Sequence, residues 1–410
     1  MEVVVTHGAG LDVHKRRILA TVITPTVSET RTFGTLTADL LALADWLTAC
    51  GVTHVAMEAT GVYGKPVYNV LEAVEGLTVW VVNPQTIKGM PGRKSDVQDS
   101  QWIASLLRIG ALKASVIPPR PQRELREIVR YRQSLVQERV AEANRIQKIL
   151  EGANITRASV ISDILGKSGT RILQALAAGE TDPAALARLA DARIRASHET
   201  LAAALQGLVG AHQQQLLRWQ LQHVAFLDAQ IAAVSEEIAT RLANFDDALT
   251  RLVSIPGVGR RTAEIIIAEC GTDLQRFPTA AAFVSWAGLS PGQHESGGRA
   301  HPAPIRKGSP VLRTALVEAA QAAAKTDTYL AAVFHRLAAR RGKQRALVAV
   351  GRHILQAVYH ILRGTDTVYQ DLGPNYFDER DRQAVVRRAT RRLEALGYRV
   401  TLEPVVPEAS

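Results

Sequence analysis

Cysteine is nearly absent from this 410-residue chain, with only Cys50 and Cys270 present. Two thiols cannot build a disulfide framework, and they are too few for a cysteine-based zinc site. Acidic residues are also in deficit: 39 Asp+Glu face 49 Lys+Arg, a formal net charge of +10. That excess points toward polyanions, although a basic balance alone says only that nonspecific attraction to nucleic acid is available. No apolar run reaches membrane-spanning length. The start MEVVVTHGAGLDVHK has no basic segment followed by a long apolar one, so neither a leader nor a membrane anchor is expected. There is no G-x-x-x-x-G-K-[ST] loop and no second phosphate-binding glycine turn near the start, which sets an actin-like ATPase aside. No internal repeat of fixed period is found. The expectation is a protein of a reducing, cytoplasmic compartment.

Apolar residues make up 47% of the chain and charged residues 21%, with mean hydropathy near zero. Such a composition excludes wholesale disorder and supplies cores for two or three domains. Up to residue 118 short β-rich runs alternate with helical stretches, an α/β signature. LDVHKRRILATVIT, THVAMEA, LTVWVVN and KASVIPP read as strands; ADLLALADWLTAC, KPVYNVLEAVE and DVQDSQWIASLLRIG read as helices. Pro118, Pro119 and Pro121 then mark a boundary, because proline continues neither a helix nor a central strand.

Residues 119–247 are rich in Gln, Glu, Arg, Ala and Leu. Leu125, Ile128, Val129, Leu135, Val136, Val140, Ile146 and Ile149 recur at three-to-four-residue spacing, and a second long stretch after His212 does the same. Two long helices with an Ala-rich insert between them suggest an antiparallel coiled-coil arm, with an ordinary helical bundle as the alternative. Residues 248–410 read as a third, mainly helical region with a basic tail, broken by glycine and proline at Pro256–Gly259 and Ser290–Gly298. The tryptophans lie mostly in apolar periodic runs and are expected to be buried. Cys270 is expected to be a buried small residue.

Four carboxylates stand out in the first region. Asp12 lies in an apolar strand, where an acid is costly unless paired, hydrated or metal-bound. Glu58 repeats the arrangement at the end of His54-Val55-Ala56-Met57. Asp96 and Asp99, three apart at a helix start with Ser95 as candidate cap, can share a face. Capping would explain either of the last two alone, but it explains less well four carboxylates at element ends. Hard divalent cations take such oxygen ligands, and a pair of them can clamp the attacking and leaving oxygens of a phosphodiester.

Further along, Ser254-Ile255-Pro256-Gly257-Val258-Gly259 joins two helical runs and looks like a helix-hairpin-helix element. Arg260 and Arg261 stand beside it as candidate phosphate contacts. A plain turn needing small residues for packing is the alternative. Ser296 precedes two glycines in Gln293-His294-Glu295-Ser296-Gly297-Gly298-Arg299, and Arg306, Lys307 and Arg313 follow. A serine hydroxyl can attack phosphorus and hold a DNA end covalently, although a serine in such a loop is more often a turn residue. Ser290 and Ser309 compete for the role. Ten cations against three anions between Gln293 and Arg345 place much of the excess charge around this loop.

The strings Gly10-Leu11-Asp12-Val13-His14-Lys15, Met57-Glu58-Ala59-Thr60-Gly61-Val62-Tyr63, Val82-Asn83-Pro84 and Lys94-Ser95-Asp96-Val97-Gln98-Asp99 together resemble the N-terminal domain of the IS110-family (IS110/IS1111 type) transposases. GLSPGQHESGGR followed by IRKGSPVLRTAL resembles their C-terminal domain. The resemblance implies a RuvC-like, RNase H-type domain whose DEDD tetrad, here Asp12, Glu58, Asp96 and Asp99, binds Mg²⁺ or Mn²⁺. It further implies Ser296 as the nucleophile and donor and target double-stranded DNA as substrates. It also implies a noncoding guide RNA from the element, a homo-oligomer, expected to be a tetramer, and a nucleoid-associated location in a prokaryote. A metal-dependent endonuclease using water, and a non-catalytic nucleic-acid scaffold, are the competing readings. The stretch from 155 to 210 matches no motif of the family.

Overall fold

The computed structural model describes residues 3–58, 61–83, 96–155, 163–191, 194, 196–290, 295–296, 298–300 and 308–403; the side chains of 96–98, 295–296 and 299–300 are outside it. The chain divides into two compact units, residues 1–118 and 119–410.

The first unit is built on a five-stranded mixed sheet of order β3-β2-β1-β4-β5. Its strands are β1 (Gly8–Val13), β2 (Ile18–Ile23), β3 (Ser28–Phe33), β4 (His54–Glu58) and β5 (Thr78–Val82). β1, β2 and β3 run antiparallel in sequence, whereas β4 lies parallel to β1 and β5 parallel to β4. Three helices accompany them: α1 (Thr37–Ala49), α2 (Gly64–Leu71) and α3 (Asp96–Arg108). The period of two along each strand divides the sheet into two faces. Ala9, Leu11 and Val13 of β1, with Val55 and Met57 of β4, join Leu43 and Leu47 of α1 and Leu71 of α2 in one core. On the other face Ala56 and Val82 pack with Ile103, Leu106 and Leu107 of α3.

The long first run is a hairpin rather than one strand, with His14 N–H bonding to the Arg17 carbonyl to close the turn. β3 has no counterpart among the strands expected from sequence, because SETRTF is an edge strand whose residues are exposed or half-buried. KASVIPP forms only a single bridge, Val82 with Ala114. Its two prolines cannot donate to a ladder.

The second unit is helical, apart from one short hairpin. Its two longest helices are α4 (Arg120–Gly152) and α8 (Ala211–Arg241), with α5 (Lys167–Ala178), α6 (Pro183–Arg188) and α7 (His198–Leu205) between them. α4 and α8 pack antiparallel in a constant register: Glu124 pairs with Arg241, Arg139 with Asp228 and Glu142 with His223. Leu217, Val224, Ile231 and Ile238 of α8 are buried at seven-residue intervals along this seam. α5–α7 bury Ile172, Leu173, Leu186 and Leu201 against Ile146, Leu150 and Leu217 at the far end of the pair. Val140, expected in the seam, is 53% exposed, while Arg132 and Glu142 are buried in its place. Trp219 departs from its expected burial too, being exposed on α8.

The remaining elements are α9 (Asp246–Val253), α10 (Arg260–Cys270), α11 (Ala280–Trp286), β6 (Glu295–Ser296), β7 (Arg299–Ala300), α12 (Pro310–Ala323), α13 (Tyr329–Arg341), α14 (Lys343–Arg363), α15 (Tyr376–Arg380) and α16 (Arg382–Ala395). α9–α14 enclose a core around Phe283, Leu316, Leu347 and Ile354, to which Leu125 and Val129 of α4 and Ile238 of α8 contribute. Among the described residues no helix is long and apolar enough to cross a membrane. Cys270 is fully buried, and burial pushes its thiol far above the ordinary range, whereas Cys50 is half-buried. A thiol reagent added to native protein is therefore expected to label Cys50 and spare Cys270 until the second unit unfolds. Mass spectrometry of the alkylated peptides reads the outcome, and prompt native labelling of Cys270 would contradict this packing.

Candidate active site

Asp12 and Glu58 occupy the C-terminal ends of two adjacent parallel strands. The ladder runs from Gly8 opposite His54 to Leu11 opposite Met57, so the next step along each strand is Asp12 beside Glu58. Alternation places both on the face that carries Gly10 and Ala56, the face covered by α3. Carboxyl ends of neighbouring strands are where an open α/β sheet binds its ligands.

α3 brings the other two acids to that face. A Cβ added to Gly10 would stand 2.2 Å from the Ser100 carbonyl oxygen and 2.4 Å from the Ala104 nitrogen, so the helix backbone lies directly on β1. A Cβ at Gly8 would meet Leu107 at 3.3 Å, so α3 runs opposite to β1, and its first turn, with Asp96 and Asp99, points toward the Asp12 end. Ser100, fully buried, shares a hydrogen bond of 2.8 Å with the Thr21 hydroxyl, which in turn meets Thr30 at 2.9 Å. These hydroxyls tie α3 to β2 and β3.

Asp12 is 6% exposed, and its Oδ2 lies 2.9 Å from Nε2 of His14. Glu58 is half-buried and Asp99 exposed. The Asp96 side chain and Ser95 lie outside the described residues. Among those described, no three His, Cys, Asp or Glu side chains stand close enough together to hold a metal ion. The backbone thus brings Asp12, Glu58 and the start of α3 to one sheet face, and the described side chains there form no closed ligand cage. Their chemistry nonetheless suits a hard divalent cation, since every donor is a carboxylate oxygen.

In the second unit Ser296 pairs with Arg299 across a two-residue connection, Gly297-Gly298. Gly298 has φ +73°, a value that tight hairpins need and that glycine adopts without strain. Gly308 lies directly against the end of α11, where an added Cβ would fall 2.2 Å from the Ala287 carbonyl oxygen. Ser309 caps α12, its Oγ accepting from Leu312 N–H at 3.3 Å. Of the competing serines, Ser309 is therefore engaged in a helix cap. Arg306 and Lys307 lie outside the described residues, and Arg313 is half-buried on α12.

Gly257 sits in the α9–α10 turn at φ +83°, where a Cβ would meet the Ala319 carbonyl oxygen of α12 at 2.2 Å. Packing accounts for this glycine. Gly259 has nothing within 4 Å of an added Cβ and begins α10 with open backbone. Arg260 contacts Asp246 at 2.7 Å and Glu264 at 3.4 Å, whereas Arg261 is exposed with no ion pair among the described residues. Gly10, Thr21 and Ser100 went unrecognised in the sequence; a glycine inside an apolar strand was the available signal.

Two regions of the chain match family models, and the first of them runs past the boundary between the units into α4. A family model described as Transposase, of the DEDD type of IS110, matches residues 9–155, and one described as Transposase IS116/IS110/IS902 family matches residues 249–336. The transposase for insertion sequence element IS1111A of Coxiella burnetii is 26% identical over 302 residues, covering 71% of this chain and 73% of that protein. The transposase for insertion sequence element IS1328 of Yersinia enterocolitica is 34% identical over 101 residues, 24% of this chain and 30% of that one. An IS110 insertion element protein of Streptomyces coelicolor is 36% identical over 127 residues, 30% of each. The first unit's mixed sheet fits the RuvC-like fold that a DEDD transposase domain implies, and DNA is the substrate such enzymes act on. With residues 9–155 and 249–336 matching models of one family and a relative aligned over 71% of the chain, the chain belongs to the IS110 family and is a DNA transposase.

Proposed function

We propose that the chain carries out insertion-sequence transposition by strand cleavage and rejoining, with Ser296 as nucleophile and with Asp12, Glu58, Asp96 and Asp99 as ligands of Mg²⁺ or Mn²⁺. The observation that carries the reading is the approach of β1, β4 and α3: two acids at adjacent strand ends, and the helix bearing the other two laid against the same face. The bound metal supplies positive charge that the scissile phosphate needs as its oxygens gain charge. Ser296 gives up its proton as its Oγ bonds to phosphorus, and the 3′ oxygen departs, taking a proton. The products are a 5′-phosphoserine link and a free 3′-OH. Attack of a 3′-OH from the partner strand then restores the serine. Arg261, Arg299, Arg306, Lys307 and Arg313 supply cations for phosphate oxygens, and Arg260 also contributes where its ion pairs open.

In this reading α9, its turn and α10 act as a helix-hairpin-helix element on duplex backbone, and α4 with α8 forms the coiled-coil arm of a homotetramer. An element-encoded guide RNA pairs with donor and target DNA, so base pairing supplies sequence choice. The test is a covalent adduct trapped on labelled element-end DNA in Mg²⁺. Ser296→Ala is expected to abolish the adduct and Asp12→Asn to lower its formation by about 10²–10³-fold. Adduct-free cleavage surviving Ser296→Ala would instead make the chain an endonuclease using water. Undiminished recombination with Asp12→Asn would leave it a scaffold.

A further inference from the structure

α13, α15 and α16 enclose a cleft of about 970 Å³ in the second unit. Most of its walls lie beyond residue 336, where the match to the second family model ends. Arg336 and Arg340 project into it from α13, Arg380 from the end of α15 and Arg388 from α16. Asp327, Asp378 and Asp381 line the same cleft. None of the four guanidinium groups forms a salt bridge with another described residue, though three carboxylates share their cleft; Arg336 instead lies over the Phe377 ring at 4.6 Å. The four cations outnumber the three carboxylates of the lining, and with no direct ion pair between them each guanidinium keeps its donors available to an entering anion. α16 adds a second argument. It buries no residue at all, and Arg382, Arg387, Arg391 and Arg392 are exposed along it beside Arg388. A 14-residue helix with no buried face is marginal in water, so its stability calls for a partner.

We infer that this cleft binds a short stretch of single-stranded RNA. Guanidinium forks match phosphate oxygens, and those on opposing walls can grip successive phosphates of one strand. A cleft of this size admits a few nucleotides and excludes a duplex. The carboxylates decide between the two kinds of strand. They would repel phosphate, but each can accept a hydrogen bond from a ribose 2′-OH, the group that distinguishes RNA from DNA. The lining of both signs therefore fits a ribonucleotide strand better than a deoxyribonucleotide one. The inference rests on the reading of the chain as a recombinase that works with an RNA, and locates one contact with it.

The test uses the full chain and fluorescence anisotropy with labelled oligouridine RNA, oligothymidine DNA and a DNA duplex, each over a range of salt. Arg340→Ala with Arg388→Ala is expected to weaken RNA binding about tenfold and to lower the salt slope by about 1.4, the value for two phosphate contacts on a single strand. Duplex binding should stay within about twofold of the parent. Asp327→Asn with Asp381→Asn should weaken RNA binding, strengthen binding of the DNA strand, and so collapse the preference. A 4-thiouridine strand should crosslink to peptides bearing residues 326–340 and 374–388. Equal losses on all three nucleic acids, unchanged RNA binding, or crosslinks confined to other peptides would each overturn the assignment. Running the same titrations on Asp12→Asn protein separates the two readings, because RNA binding at the cleft requires no cleavage.

Discussion

Replacing Gly10 with alanine is expected to unfold or displace α3 and to remove metal binding together with recombination. The added Cβ would stand 2.2 Å from the Ser100 carbonyl oxygen and 2.4 Å from the Ala104 nitrogen, both backbone atoms that cannot swing aside. Relief requires the helix to lift from β1. That opens the contact among Ala56, Ile103 and Leu107 and separates the Ser100 hydroxyl from Thr21. Overpacking of this kind costs about 3 kcal/mol, a substantial part of a domain's stability. The same movement carries Asp96 and Asp99 away from Asp12 and Glu58. Urea unfolding of the first unit and Mn²⁺ titration by calorimetry measure the two consequences separately. Gly152→Ala serves as the control: nothing lies within 4 Å of its added Cβ, so stability should hold or rise slightly. Parent-like Mn²⁺ binding and stability in Gly10→Ala protein would show that α3 is held by other means.

Gly10 also shows why part of the site was legible and part was not. An acid inside an apolar strand is conspicuous from its immediate neighbours, so Asp12 and Glu58 stood out at once. A glycine's purpose depends on what packs against it, and the helix that packs against Gly10 comes far later in the chain. The α/β alternation of the first unit was readable because its central strands are buried and its helices amphipathic. The hairpin inside the first run was hidden by a His-Lys-Arg-Arg turn with neither glycine nor proline to mark it, and β3 by its polar edge. In the long helices, apolar spacing located the elements and their antiparallel partnership could be expected. Hydropathy nonetheless assigned Val140 to the seam, where the fold buries Arg132 and Glu142. A buried charge is acceptable only when its partner is nearby: Arg132 finds Glu264 on α10, while Glu142 is held by Arg145 one turn along α4 and by His223 on α8.

The second large effect is expected at such a charge, Glu269. Only 2% exposed at the end of α10, it accepts hydrogen bonds from Arg130 at 2.7 and 2.9 Å and has Arg126 at 3.6 Å. Arg126 also donates to the carbonyls of Ala268 and Glu269, so α4 is fastened to the last turn of α10 at several atoms. The two arginines respond in opposite directions. Burial lowers Arg126 from its usual range despite the carboxylate, whereas the hydrogen bonds to Glu269 raise the more exposed Arg130. Five residues earlier on α10, Glu264 has Oε2 2.7 Å from Arg132 in a contact too bent to count as a hydrogen bond. Glu269→Ala leaves Arg126 buried without its counter-charge and Arg130 without its bidentate acceptor, and breaking a buried pair in this way costs about 3–5 kcal/mol. The loss should appear as a lower urea midpoint for the second unit, with the first unit's transition unmoved. Replacing Glu269, Arg126 and Arg130 together by apolar residues of similar volume should recover most of it, since the desolvation cost then disappears with the charges. A single variant as stable as the parent would show that the carboxylate contributes nothing to the junction of α4 with α10; failure of the triple variant to recover would assign the stability to the hydrogen bonds on the Ala268 and Glu269 carbonyls instead.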